Sequence, residues 1–300
     1  MITTKSRVLF SLVLLIFIAS ESAKPQDLMS MLNDDKPKID YTTATFKTTR
    51  IVIGQSIENP AKGNMLFLIT HHFGAINSGY ENLFGLKQAT IRLGLEYGLT
   101  DRIGFGVGLN TYLNTWDGFL KVKILRQSKG KRKMPLTLAL FANTAIYTTK
   151  WDNPDRKNYF TSRMSFCFEM LIARKFGQRL SLQLMPAVVH RNMVETAADK
   201  NDVYSIGAGG RFKVSKRVSI NAEYYYLLPN RVVSTKVYNS LSIGVDIETG
   251  GHVFQIFLTN SEGEFEEAFL TSTQGNWSKG TFYLGFNISR IFTIVKSKMN

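Results

Sequence analysis

Apolar and polar side chains alternate with a period of two over most of the chain. The clearest stretch is 89–109. Ala89, Ile91, Leu93, Leu95 and Tyr97 share one face, and Thr90, Arg92, Gly94 and Glu96 share the other. After a Leu-Thr-Asp-Arg turn, Ile103, Phe105, Val107 and Leu109 oppose Gly104, Gly106 and Gly108. Successive side chains of a strand point to opposite sides, so this is a hairpin with one apolar face and one polar or empty face.

The same pattern predicts twelve strands, at about 63–73, 88–97, 103–112, 118–126, 135–147, 159–173, 180–190, 203–213, 218–227, 239–248, 252–260 and 281–292. Short connections at 98–102, 127–134, 174–179, 214–217 and 249–251 alternate with longer ones at 74–87, 113–117, 148–158, 191–202, 228–238 and 261–280. Bacterial barrels combine an even strand number with short periplasmic turns and longer outer loops. The expected fold is therefore all-β: a transmembrane antiparallel β-barrel of about twelve strands spanning 63–293, with both termini periplasmic. A weak thirteenth strand candidate, 46–53, would break the parity and is assigned to a periplasmic or lumenal segment. Aromatic residues agree with a membrane setting. Phe73, Tyr112, Tyr159, Phe160, Tyr204, Tyr224 and Tyr226 fall near loop ends, and Tyr97, Phe105, Phe212 and Phe292 near turn ends, where amphipathic rings form girdles.

The ends fit that address. Lys5 and Arg7 precede the apolar run 8–19 and small residues at Ser20, Ser22 and Ala23, the layout of an export signal over 1–23. The run is too short for a spanning helix, and nothing later supplies the roughly 20 apolar residues one needs. Residues 24–62 open polar and without a period, which predicts a flexible N-terminal segment able to plug the barrel. Residues 294–300 form a short tail.

Charge changes the picture only locally. The formal net charge of +14 could suggest nucleic acid, but the bases are scattered over turns and alternate strand positions of an exported chain, which excludes that class. One dense cluster, Arg126, Lys129, Lys131, Arg132 and Lys133, reads either as a solvated turn or as a dock for phosphate headgroups or an acidic periplasmic partner. Cys167 is the one cysteine, so no internal disulfide forms. It reads as a small strand residue or a reactive thiol.

Several stretches carry a resemblance. They include Ile57-Glu-Asn-Pro-Ala-Lys-Gly-Asn64, Asp117-Gly-Phe-Leu-Lys-Val-Lys123, Gly207-Ala-Gly-Gly-Arg-Phe-Lys213 and the spans 84–102, 172–177 and 246–254. Over about 45–293 the chain resembles an uncharacterised outer-membrane barrel family of Bacteroidetes. The resemblance implies a barrel in a bacterial outer membrane, and no particular activity.

Strand parity gathers Arg92, Glu96, Lys121, Lys123, Arg163, Glu169, Arg211, Glu223 and Asp246 on the polar face. A Lys or Arg facing lipid at the midplane costs roughly 2–4 kcal/mol, so these residues are expected to line the lumen. They could form a charged eyelet that passes small solutes, or an ion-pair network that closes the interior. Gly104, Gly106, Gly108, Gly207 and Gly209 would open a passage, or make room for an opposing Arg, Tyr or plug. A membrane-embedded lipid hydrolase is the enzymatic alternative. It commonly places His-x-Ser on one strand, and none of His71, His72, His190 or His252 precedes such a serine. His71 and His72 face opposite sides of a strand and cannot share a metal, and no cofactor is expected. Glu262, Glu264, Glu266 and Glu267 crowd the longest outer loop, as a solvated acidic loop or a cation bridge to lipopolysaccharide. Membrane lipid, lipopolysaccharide and the barrel-insertion machinery are the expected partners. Three functions remain open: a solute channel, a closed barrel with a structural or docking role, and the hydrolase. A secreted soluble barrel would require the apolar face to be internal.

Overall fold

The structure, a computed structural model, describes residues 38–151 and 153–295. The signal expected at 1–23 and the tail beyond 295 lie outside them. Twelve strands close into one antiparallel barrel. They are β2 (Asn64–Ala75), β3 (Ala89–Gly98), β4 (Ile103–Asn110), β5 (Thr115–Leu125), β7 (Thr137–Tyr147), β8 (Met164–Lys175), β9 (Leu180–Arg191), β10 (Asp202–Lys213), β11 (Val218–Leu227), β12 (Ser240–Thr249), β13 (His252–Thr259) and β14 (Tyr283–Thr293). Each strand pairs with its chain neighbour, and β14 pairs with β2 to remove both edges, which alone leaves no unpaired ladder in a membrane. Two short strands, β1 (Ile39–Tyr41) and β6 (Ser128–Gly130), form a separate pair.

Alternation places the apolar face outward. Leu95, Val107, Trp116, Leu120, Phe168, Ile206, Ile243 and Ile256 are exposed on the outer wall, while Arg92, Glu96, Lys121, Glu169, Gln183, Glu223 and Asn287 are buried inside. Tyr159, Phe160, Tyr204, Tyr224 and Tyr226 ring the loop end, and Phe105, Phe212 and Phe292 the turn end, all exposed. Tyr112 departs from that expectation. It turns inward onto Phe265, with ring centroids 6.2 Å apart.

The outer wall is dented over β5 and β7–β10, where Ala142 and Pro186 sit among Leu120, Leu140, Phe168 and Tyr204. Pro186 donates no ladder hydrogen bond, and the β8–β9 pairing is interrupted there, between Glu169↔Ala187 and Ile172↔Leu184, and resumes in the same register.

The lumen is filled. Residues 42–59 enter from the turn end, reverse at Ile51–Gly54 and return to start β2. One bridge, Arg50↔Gln55, and the bonds from Ile51 N–H to Gly54 O and Ser56 N–H to Thr49 O hold this hairpin-like excursion. From the other end the β13–β14 connection folds inward and carries a short helix, α1 (Glu266–Thr271), buried along its whole length. From residue 42 on, the N-terminal segment thus lies in the lumen as a plug. Phe46, Ile51, Val52, Ile53 and Ile57 pack with Phe119, Phe141, Met185, Tyr225 and Phe257 of the wall and Phe269 and Leu270 of α1 in one continuous core.

The inward glycines make that packing possible. A Cβ on Gly209 would lie 2.7 Å from the Ile51 side chain, and one on Gly207 would lie 2.5 Å from the Tyr225 ring. They admit the plug and a lumenal Tyr. Cys167 is a small buried member of the same core.

Candidate functional site

The chemistry-bearing side chains converge on the plug. Its tip bends so that the N–H groups of Val52, Ile53 and Gly54 point one way, and all three donate to the Glu223 carboxylate of β11, at 3.2, 2.8 and 2.9 Å. Consecutive amides arranged like this make an anion-binding nest, and here a wall carboxylate fills it. The tip's carbonyls are met as well. Gln255 Nε2 donates to Ile51 O and Asn287 Nδ2 to Val52 O, both at 2.8 Å, and Gln183 Nε2 donates to Gln55 O at 2.7 Å. Lys121 Nζ donates to Ser56 O at 2.8 Å and Glu58 O at 3.0 Å. A segment without a ladder partner has its main-chain groups satisfied by the barrel wall, as burial demands.

The remaining wall charges follow the same plan. Arg50 of the plug pairs with Glu96 at 3.0 Å, with both side chains buried. Arg211 donates to Ala44 O and Thr45 O at 3.1 and 3.2 Å. Lys123 lies 3.5 Å from Glu58. Asp246 accepts from Gln255 at 2.6 Å. Arg92 grips Asp117 in a bidentate pair, Nε to Oδ2 at 2.8 Å and Nη2 to Oδ1 at 2.6 Å, with both side chains at most 2% exposed. Glu169 is enclosed on the same wall, and its carboxylate has no hydrogen bond among the described residues.

Arg163 does not join this set. β8 begins only at Met164, and Arg163 closes a 3-10 turn at the outer rim. It donates to Tyr147 O and Thr149 O and stacks 3.9 Å over Trp151. Parity extended one residue past the strand's start misplaced it. Gln55, Gln183, Gln255 and Asn287 are what the charge-led reading missed. The three wall amides occupy inward positions of their strands, so parity alone could have found them.

The acidic outer loop is also displaced from expectation. Glu262 stays exposed, but Glu264, Glu266 and Glu267 are buried in the lumen. Glu266 Oε1 accepts from Gln55 Nε2 at 2.8 Å, which joins the inward loop to the plug. Glu267 accepts from the Tyr147 hydroxyl. His72 is enclosed beside Glu264 at 4.0 Å, whereas His71 faces outward and stacks on Phe286 at 4.8 Å.

Burial holds the Glu264 carboxyl well above the ordinary range and raises that of Glu266. An acid whose inserted-state value lies above its free value holds its proton more tightly when inserted. Loop insertion is therefore most stable below the ordinary carboxylate pKa, about 4.3, and weakens as pH rises through the raised values. Hydrogen-exchange protection factors for 264–271, corrected for intrinsic rates, are expected to be higher at pH 6 than at pH 9. Equal factors would mean that these carboxyls do not couple to insertion.

Residues 46–292 match the family described as a membrane bound beta barrel domain (DUF5777). The chain belongs to that family. It is a membrane-bound β-barrel, and the match begins inside the lumenal segment, so the membrane bound beta barrel domain here includes most of the plug as well as the wall. No curated protein matches the chain. Among solved structures, the NanC porin is similar over 77% of this chain and 100% of its own, at 8% identity and a TM-score of 0.48. An outer membrane channel from Pseudomonas putida F1 is similar over 78% of this chain and 97% of its own, at 13% identity and a TM-score of 0.46. For outer membrane phospholipase A from Escherichia coli the shares are 77% and 91%, at 10% identity and a TM-score of 0.44.

Proposed function

We propose that this is an outer-membrane barrel shut at rest by its own chain, acting in the envelope through its surfaces and not as a standing pore. The observation that carries the reading is the tip Ile51–Gly54, which fills the lumen while Glu223, Gln255 and Asn287 satisfy its main chain. The outer-membrane address rests on the closed barrel, its apolar outer band with aromatic girdles and the export-type start of the sequence. Membrane lipid and lipopolysaccharide then surround the wall, and the barrel-insertion machinery assembles it.

A gated channel is the second reading, and one observation favours it. The plug is a single excursion hinged at β1 and β2, and its departure would bare Lys121, Arg211 and Glu223 as a charged wall.

Planar-bilayer recording tests the resting closure that both readings share. The full chain is expected to give no steady conductance. A variant lacking 45–58 is expected to conduct, with an ion preference that Lys121→Glu in that background moves toward cations. Heat-modifiable gel migration checks that each variant folds. Steady conductance from the full chain would overturn the resting closure.

A further inference from the structure

The two ends of the barrel differ in charge. The five turns at 99–102, 126–136, 176–179, 214–217 and 250–251 hold nine Lys and Arg against one acidic residue, Asp101. The six connections at the other end, 76–88, 111–114, 148–163, 192–201, 228–239 and 260–282, hold nine against nine, of which Glu264, Glu266 and Glu267 are buried in the lumen. Arg126 lies 3.9 Å from Asp101, Arg102 donates to Lys123 O and Ile124 O, and Asp40 of β1 is paired opposite Lys129. The other bases leave the turn end a surplus of positive charge that no ion pair among the described residues meets. Lys129, Lys131, Arg132 and Lys133 are exposed at its densest point, and Arg179, Lys216 and Arg217 continue it on other turns, also exposed.

Two observations say what meets this charge. First, β1 occupies the edge of β6, with Ile39↔Gly130 and Tyr41↔Ser128 in register. The densest turn is therefore held in one shape and its main-chain edge is already paired, so it presents side-chain charge and not a strand-addition site. Second, cations stand against aromatic rings at this end: Arg290 lies 4.9 Å from the Phe292 ring centre, Arg174 5.0 Å from Phe176 and Arg126 4.1 Å from Tyr41. Phe292 and Arg290 are exposed near the end of β14, at the edge of the apolar band. An aromatic ring with a snorkelling cation suits the headgroup level of a bilayer. The charge also recurs on turns around the perimeter, where a protein docked on one side would need only an arc.

We infer that the turn end binds the anionic phosphate headgroups of the leaflet it borders, with Lys129, Lys131, Arg132 and Lys133 as the main site. Clusters of four to eight Lys and Arg beside a membrane segment attract anionic lipid. The inference holds whether or not the lumen ever opens.

The test uses the full chain in neutral detergent, given equal amounts of phosphatidylglycerol and phosphatidylcholine, with retained lipid measured by mass spectrometry. Phosphatidylglycerol should be enriched by about tenfold, and the enrichment should shrink as salt is raised. The variant K129E/K131E/R132E/K133E should lose most of it while keeping heat-modifiable migration. If that variant fails to fold, K216E/R217E on a separate turn should lower the enrichment in part. Equal retention of the two lipids by the unaltered chain would overturn the proposal and direct attention to an acidic protein partner. Enrichment unchanged in the folded quadruple variant would overturn the assigned site. Inorganic phosphate that displaced phosphatidylglycerol at equal concentration would show a free-anion site and overturn the lipid assignment.

Discussion

Asp117→Ala is expected to destabilise the refolded barrel by about 3–5 kcal/mol, because it strands the Arg92 guanidinium inside the wall without its partner. Arg92 and Asp117 are both nearly inaccessible and share two short hydrogen bonds. Gly94 and Gly108 leave the space the guanidinium occupies: a Cβ on Gly94 would stand 2.7 Å from Arg92 Nη1. The pair itself need not be strongly stabilising, since an apolar pair of similar volume often replaces a buried ion pair at little cost. The double variant Arg92→Met/Asp117→Leu is therefore expected to recover most of what Asp117→Ala loses. Equilibrium unfolding in urea with lipid vesicles measures both. A loss below about 1 kcal/mol for Asp117→Ala, the range of exposed pairs, would mean that water reaches Arg92.

Glu223→Ala is expected to release the plug tip while the barrel stays closed as a sheet. The substitution removes the acceptor for three buried N–H groups at once. Each buried donor left unpaired costs roughly 1–3 kcal/mol, so the tip loses several kcal/mol of local stability, against about 1.4 kcal/mol for every tenfold change. Exchange protection over 51–56 should fall by at least about a hundredfold, with little change in β2–β14, whose ladders do not involve the tip. Glu223→Gln retains one carbonyl acceptor and should fall between. Protection unchanged in Glu223→Ala would show that apolar packing alone holds the tip.

The wall was legible because a barrel strand has a dry side and an enclosed side, and alternation records both. All twelve strands appear where the period-2 pattern puts them, within a few residues, and eight of the nine charged positions assigned to the inner wall lie on it. The failures lie where that rule does not reach. Alternation reports nothing about a segment enclosed on every side. Ile51, Val52 and Ile53 are consecutive and all buried, because wall surrounds the tip in each direction. Only one bridge marks it as hairpin-like, since side chains and not a ladder satisfy its main chain. The loop at 261–280 misled in the opposite way. Its four Glu dominate its composition, yet Phe265, Phe269 and Leu270 anchor it in the core, and Gln55 and Tyr147 receive two of the carboxylates. Arg163 marks the remaining limit, because parity ends where the strand does.

Hydrogen–deuterium exchange of the full chain in lipid bilayers tests the closure most directly. The amides of Ile51–Ser56 lie outside every strand, so in an open lumen they would exchange within seconds. Packed against Glu223 and the core, they should exchange as slowly as β5 and β11. Fast exchange at 51–56 beside slow strands would contradict a lumen closed by its own chain.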